Sequence, residues 1–170
     1  MGHPRWLSEE EFRAWQAFLA AGALLNRRLD QQLKDEVGLS HLQYEILVRL
    51  SAEPGHEMRM TELADSLFNT KSGLTYQITQ LEKVGLVQRR ACTWDVRGVK
   101  AVLTDAGQET LKRAAPGHVA TVRELLIDVL TPEQLTALAD GLGEASRRMC
   151  DGNASGTSSR NSCRGATDGR

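Results

Sequence analysis

Hydrophobic residues recur at helical spacing along most of the chain, and polar capping residues divide this pattern into a series of predicted helices. The longest prediction runs from Glu9 to Val37, with Ser8 and Glu11 in capping-box positions and Gly38 after the last turn. Such a helix would measure roughly 40 Å. Because this exceeds what one face of a small domain can cover, part of its apolar stripe is expected to pack on another chain.

Shorter elements are predicted between Ser40 and the middle of the chain. A second helix begins at Ser40, a short strand is predicted over residues 58–60, and a short helix follows over residues 61–67. The next helix begins near Thr70 and is followed at once by a hairpin, with strands over residues 86–92 and 98–103. The buried stripe of that helix is predicted to contain Leu74, Ile78 and Leu81.

Two further capped helices complete the pattern. Thr104 begins the fifth helix, in which Pro116 predicts a kink. Thr131 and Pro132 begin the sixth, with Gln134 closing a capping box. From Asp151 onward the composition of Gly, Ser, Asn and Thr predicts a disordered tail. The predicted fold is mainly α with a small antiparallel β-wing.

A polar helix face followed by a charged hairpin is typical of a winged helix-turn-helix, which reads a major groove with the helix and reaches a minor groove with the wing. Hydroxyl and amide side chains on the helix can bond phosphates or base edges, and free N–H groups at its capped start favour a phosphate. On the hairpin, Arg97 is predicted to enter a minor groove with Asp95 holding its guanidinium, while Arg89, Arg90 and Lys100 contact the DNA backbone. The predicted DNA-binding residues are Thr70, Lys71, Ser72, Thr75, Tyr76, Thr79, Gln80, Arg89, Arg90, Asp95, Arg97 and Lys100.

The charge distribution indicates a local nucleic-acid site rather than a chain that is basic throughout. The formal net charge is −1, but residues 66–100 carry six basic and two acidic side chains, a local excess of +4. The N-terminal segment has no signal-peptide pattern and no apolar run approaches a membrane span, so a cytoplasmic location without membrane association is expected.

Three local motifs, in order, resemble the MarR family of bacterial transcriptional regulators over about residues 6–149. The first lies in the predicted reading helix and strand entry, the second at the wing tip, and the third at the strand-to-helix junction. They are Ser72-Gly73-Leu74-Thr75 with Leu81-Glu82-Lys83-Val84-Gly85-Leu86-Val87, then Asp95-Val96-Arg97-Gly98, then Leu103-Thr104-Asp105-Ala106-Gly107.

The resemblance implies a homodimer that binds pseudo-palindromic double-stranded operators, usually as a repressor. It assigns residues 1–37 and 104–150 to a helical dimerisation lobe, residues 38–103 to a winged DNA-binding lobe, and 151–170 to the tail. It also implies release by a small aromatic or anionic ligand bound between the lobes. Candidate ligand-binding residues, by position and chemistry, are Trp15, Phe18, Arg27, His41 and Tyr44.

Two other functions are compatible with the same residues. Oxidation of Cys92 at the wing could regulate DNA binding, or the winged helix could serve only protein contacts. No enzyme motif is present, so an enzyme is not expected, and no cofactor is expected. A metal site is not predicted, because His3, His41, His56 and His118 are scattered and lack ligand spacing.

Overall fold

The structure is a computed structural model that describes residues 4–92 and 95–153, with the backbone alone for 95–97 and 151–153. Part of the predicted wing tip, namely Thr93, Trp94 and the side chains of Asp95 and Arg97, lies outside the described residues. Most of the predicted tail lies outside them as well. No helix in the described part of the chain is both long and apolar enough to cross a membrane.

Six α-helices and a three-stranded antiparallel sheet make up the described residues, which confirms the predicted fold class. A 3-10 turn at Pro54–His56 follows α2, and a π-helical turn at Arg123–Ile127 follows α5. The helices are α1 Glu9–Val37, α2 His41–Ala52, α3 Met60–Ser66, α4 Lys71–Lys83, α5 Asp105–Val122 and α6 Pro132–Asn153; the strands are β1 Glu57–Arg59, β2 Val87–Cys92 and β3 Asp95–Leu103.

The predicted helix starts are confirmed by their caps. Ser8 and Ser40 each form a complete capping box, in which the serine oxygen accepts an amide three residues on and that residue's side chain accepts the serine amide. Thr131 does the same with Gln134 at α6. The helix α6 continues to Asn153, slightly beyond the predicted start of the tail. Pro116 lies inside α5, and the irregular turn comes after it, at Arg123–Ile127.

The winged lobe, residues 38–103, is closed around its own hydrophobic core. Helices α2, α3 and α4 pack on one face of the sheet, whose strand order is β1-β3-β2. The buried stripe predicted for α4 is confirmed, since all three residues have no exposed surface. The core residues at its centre are Ile46, Leu47, Leu50, Leu63, Leu74, Ile78, Leu81, Val87 and Ala101.

A tight junction joins this lobe to α5. Thr104 caps α5 by accepting the Gly107 amide at 3.0 Å, and its hydroxyl donates to the Gly85 carbonyl at 2.7 Å. The Thr104 amide donates to the Leu86 carbonyl at 3.1 Å. A Cβ on Gly107 would lie 2.2 Å from that same carbonyl oxygen, so only glycine allows this close approach. The third sequence motif therefore fixes where α5 leaves the wing.

The term helical lobe denotes the remaining residues 4–37 and 104–153, which contain α1, α5 and α6. Helix α5 packs along α1, and the buried cluster between the lobes is small, consisting of Leu33, Tyr44 and Ala114. Large apolar side chains remain exposed on the outer faces of α1 and α6. They include Phe12, Trp15, Phe18, Leu19, Leu24, Leu138, Leu142 and Met149.

Candidate nucleic-acid interface

Helix α4 presents a polar face to solvent because its opposite face is buried in the core. Tyr76 is 62% exposed on this outer face, and Thr79 and Gln80 are half-buried at its edge. The exposed predicted residues are Thr70, Lys71, Ser72, Thr75 and Tyr76. The structure thus brings the helix part of the predicted DNA-binding set onto one surface.

Hydroxyl groups on this face are oriented by the helix itself. Thr70 accepts the Gly73 amide at 3.1 Å and so caps the helix. Thr75 donates to the Lys71 carbonyl at 2.7 Å, and Thr79 donates to the Thr75 carbonyl at 2.9 Å. Because each threonine hydroxyl is turned back onto the helix, its methyl group is left to contact apolar atoms such as a thymine methyl.

Arg89, expected to contact the DNA backbone, is instead occupied within the lobe. Its guanidinium pairs with the Glu82 carboxylate and donates to the Thr75 carbonyl at 3.0 Å and to Thr79 Oγ1 at 2.9 Å. Its amide also donates to Glu82 at 2.9 Å. These bonds join β2 to α4, so Arg89 is placed to set the angle between the wing and the reading helix.

The other two predicted backbone contacts differ from each other. Lys100 on β3 pairs with the Glu57 carboxylate on β1, a neighbouring strand of the sheet. Arg90 on β2 is exposed and lies opposite Lys100 in the strand register. Of these two, Arg90 is therefore the better placed to meet a phosphate. The backbone of Asp95 and Arg97 lies in β3, at the far end of the wing.

Phe68 is a candidate contact that sequence reasoning missed. It lies in the turn between α3 and α4, with φ +50° and 75% of its surface exposed. A phenylalanine next to Leu67 resembles an ordinary core residue, so periodicity gave no sign of its exposure. Along the chain it lies just before Thr70, the cap of α4.

The predicted ligand-binding residues separate into two places. Phe18 and Arg27 line an open groove of about 950 Å³ between α1, the π-helical turn and α6, with Trp15 stacked on Phe18 at 6.0 Å. Small and apolar residues, among them Gly22 and Leu138, form much of its wall. Tyr44 is buried, and neither it nor His41 reaches this groove. The structure does not bring the five residues into one pocket.

His41 and Tyr44 lie where α2 meets α5. The Tyr44 ring contacts the His118 ring at a centroid distance of 4.4 Å, and the His41 ring stacks on His118 at 5.5 Å. Burial lowers the pKa of His118, and the neighbouring His41 lowers it further. Burial also raises the pKa of Tyr44. His41 and His118, which are far apart in the sequence, are therefore brought together by the fold.

Cys92 lies at the end of β2, next to a bulge between Ala91 and Cys92. Its thiol is free, and the residue is only 8% exposed. An oxidant therefore has poor access to the sulfur unless the hairpin opens.

Comparisons with known proteins agree with this fold. The MarR family model matches residues 39–99, which span α2 to β3. A MarR family transcriptional regulator from Streptomyces coelicolor, solved in complex with DNA, is 44% identical, with a TM-score of 0.80. That alignment covers 88% of this chain and 91% of the regulator. The chain belongs to the MarR family.

Two further relatives support the assignment. AbsC, another MarR family transcriptional regulator from Streptomyces coelicolor, is 42% identical over 87% of this chain and 99% of its own, with a TM-score of 0.82. The transcriptional repressor YetL of Bacillus subtilis is 30% identical over 112 residues, 66% of each protein. This MarR family member is accordingly a transcriptional regulator and not an enzyme, as the sequence predicted.

Proposed function

We propose that this protein is a homodimeric, sequence-specific double-stranded DNA-binding regulator that represses transcription from pseudo-palindromic operators. The observation that carries the proposal is the outer face of α4. Its buried stripe fixes the helix in the core, its capped N-terminus is open to solvent, and its polar side chains form one continuous surface. Arg89 then holds the wing at a fixed angle beside that surface.

A second copy of the chain is required by the size of the reading surface. One helix covers few base pairs, whereas two helices related by a two-fold axis would read half-sites about 34 Å apart. The apolar side chains exposed on α1 and α6 are where the second copy packs, since an uncovered patch of this kind marks an interface. Residues 4–37 and 104–153 thereby act as the dimerisation lobe.

The names of two relatives support repression rather than activation of transcription. YetL of Bacillus subtilis is named a transcriptional repressor, as is the 25% identical MprA of Escherichia coli. A repressor of this type needs only to occupy its operator, and the described part of the chain contains the complete reading helix and both wing strands. We place direct base contacts on Ser72, Thr75, Tyr76 and Gln80, and backbone contacts on Thr70, Lys71 and Arg90.

A small aromatic or anionic ligand bound between the two lobes would release the operator. His41 and Tyr44 lie at the lobe boundary, where α2 meets α5, whereas Phe18 lies on the open groove that the second copy is proposed to cover. Release requires the ligand to bind the DNA-incompetent state more tightly, because equal affinity for both states shifts nothing. Failure of every aromatic acid tested to release bound DNA would remove this part of the proposal.

The direct test begins with selection of bound sites from random DNA by the full chain, followed by fluorescence anisotropy on the selected operator. Arg97→Ala should weaken binding severalfold or more, because an arginine at the wing tip gains from the negative potential of a narrow minor groove. Arg113→Ala, which removes an exposed arginine from α5, is the matched control and should leave the affinity unchanged. Selection of no preferred sequence would instead support a winged helix used for protein contacts.

A further inference from the structure

Two elements far apart in the chain bring metal-binding side chains together. His41 and Glu45 lie one turn apart on α2, and His118 approaches them from α5. One ligand atom from each of the three lies within 4.8 Å of the other two, and all three residues are half-buried. Since α2 belongs to the winged lobe and α5 to the helical lobe, the cluster spans the boundary between the two.

The hydrogen bonds around the cluster leave ligand atoms available to bind a metal ion. His41 Nδ1 lies 3.1 Å from Asn26 Oδ1 on α1. Because an amide oxygen can only accept, Nδ1 carries the proton there, and the lone pair falls on Nε2, which faces Glu45 Oε1 at 3.6 Å. An outer hydrogen bond of this kind orients histidine ligands in metal sites.

His118 supplies the observation that an ordinary ion pair does not explain. Its Nδ1 is buried and has no hydrogen-bond partner among the described residues. A buried polar atom without a partner costs free energy, and a contact between His41 and Glu45 alone would leave that cost in place. A cation bound by all three side chains would give the His118 imidazole a partner.

We propose that His41, Glu45 and His118 bind a divalent transition-metal ion, with Zn²⁺ as the best match. Two imidazoles and one carboxylate form a known zinc donor set, in which water completes a tetrahedron. Tetrahedral zinc places its ligand atoms about 3.4 Å apart. The ligand atoms here lie within 4.8 Å of one another, so side-chain rotations that draw them together by up to about 1.4 Å complete the site.

Occupancy of this site would link the two lobes directly. The ion would join α2, which shares a hydrophobic core with the reading helix α4, to α5, which packs along α1. In a dimer that link constrains the separation of the two reading helices, and the metal shifts operator affinity if it binds one lobe arrangement more tightly than the other.

The primary experiment measures metal binding without DNA. Full-length protein stripped with a chelator is titrated with Zn²⁺ by calorimetry, and in parallel with Co²⁺, whose visible absorption reports tetrahedral coordination. One ion per chain is expected. His41→Gln, Glu45→Gln and His118→Gln should each weaken Zn²⁺ binding by about 100-fold or more, because loss of an outer partner alone already costs 10- to 100-fold.

Matched controls separate this site from adventitious binding. His56→Gln removes a histidine that bonds the Ser51 carbonyl outside the cluster, and Glu109→Gln removes an exposed carboxylate on α5; both should bind as wild type does. Glu45→Gln keeps the shape of its side chain, and circular dichroism of the metal-free variants checks that they fold. Absence of binding in the wild type, or wild-type affinity in all three cluster variants, would overturn the proposal.

The regulatory consequence has a separate readout. Zn²⁺ should change the operator affinity of the wild type and leave that of His118→Gln unaltered. Because the calorimetric test needs no DNA, a failure of metal binding and a failure of the proposed operator binding are distinguishable. An operator affinity that ignores Zn²⁺ in a protein shown to hold it would disprove the coupling between the lobes.

Discussion

The winged lobe and the helical lobe differ in how far they bury their apolar side chains. The winged lobe closes helices α2, α3 and α4 and the sheet around side chains with almost no exposed surface. The helical lobe is longer in sequence, yet Phe18 is 48% exposed and Leu24 61% exposed on α1. Most apolar residues of the winged lobe pack within it, whereas α1 and α6 keep a large apolar surface exposed, which we propose a second copy of the chain covers. We infer that folding of the reading unit and assembly of the dimer can be disrupted separately.

The largest effect is expected from a charge placed on the open face. Leu138→Glu on α6 should abolish dimerisation and with it operator binding, because a carboxylate buried without a partner in the interface is strongly unfavourable. Sedimentation velocity and anisotropy measure the two losses. Val84→Glu places the same charge on a hydrophobic residue exposed in the winged lobe and should leave the dimer intact. Dimerisation that survives Leu138→Glu would contradict the assignment of this face.

A cavity in the closed core should have the next largest effect. Ile78→Ala removes a fully buried side chain of α4 and is expected to cost about 2–5 kcal/mol of unfolding free energy. Urea denaturation at fixed protein concentration measures it, since the stability of a dimer depends on concentration. The control Leu67→Ala truncates a half-buried side chain at the rim of the same core and should cost less. Equal losses would mean that the core is less closed than the burial indicates.

The smallest effect distinguishes two neighbouring arginines on β2. Arg89→Ala should lower the unfolding free energy by about 1–3 kcal/mol, because it removes charge-assisted bonds to Glu82 and Thr79. Arg90→Ala should leave stability unchanged and weaken binding to all DNA sequences alike, and the slope of log affinity against log salt should flatten by about one unit per subunit. The opposite assignment of the two phenotypes would show that Arg89 is the phosphate contact.

Local sequence signals predicted the helices and the wing well because their physical causes are local. Ser8, Ser40 and Thr131 each begin a helix through hydrogen bonds that reach only three residues along the chain. The stripe of Leu74, Ile78 and Leu81 follows from the helical repeat alone. From the stripe, the polar outer face of α4 follows as well, so most of the candidate DNA-binding residues on that helix were predictable.

Contacts between distant elements escaped sequence reasoning. The spacing of Arg89 and Glu82 did not show that the guanidinium would be held inside the lobe. The predicted ligand site failed to assemble because Phe18 and Tyr44 lie in different packing environments, one on an open groove and one between α2 and α5.

The sequence by itself determined where each helix begins, which face of α4 is buried, and the family to which the motifs point. These properties depend on capping, periodicity and short motifs, all of which act within a few residues. Only the tertiary structure decided that Arg89 is paired inside the winged lobe, where the apolar surface remains open, and that His41, Glu45 and His118 meet. The physical reason is that pairing and burial depend on distances between helices and strands, which the packing of the whole chain sets.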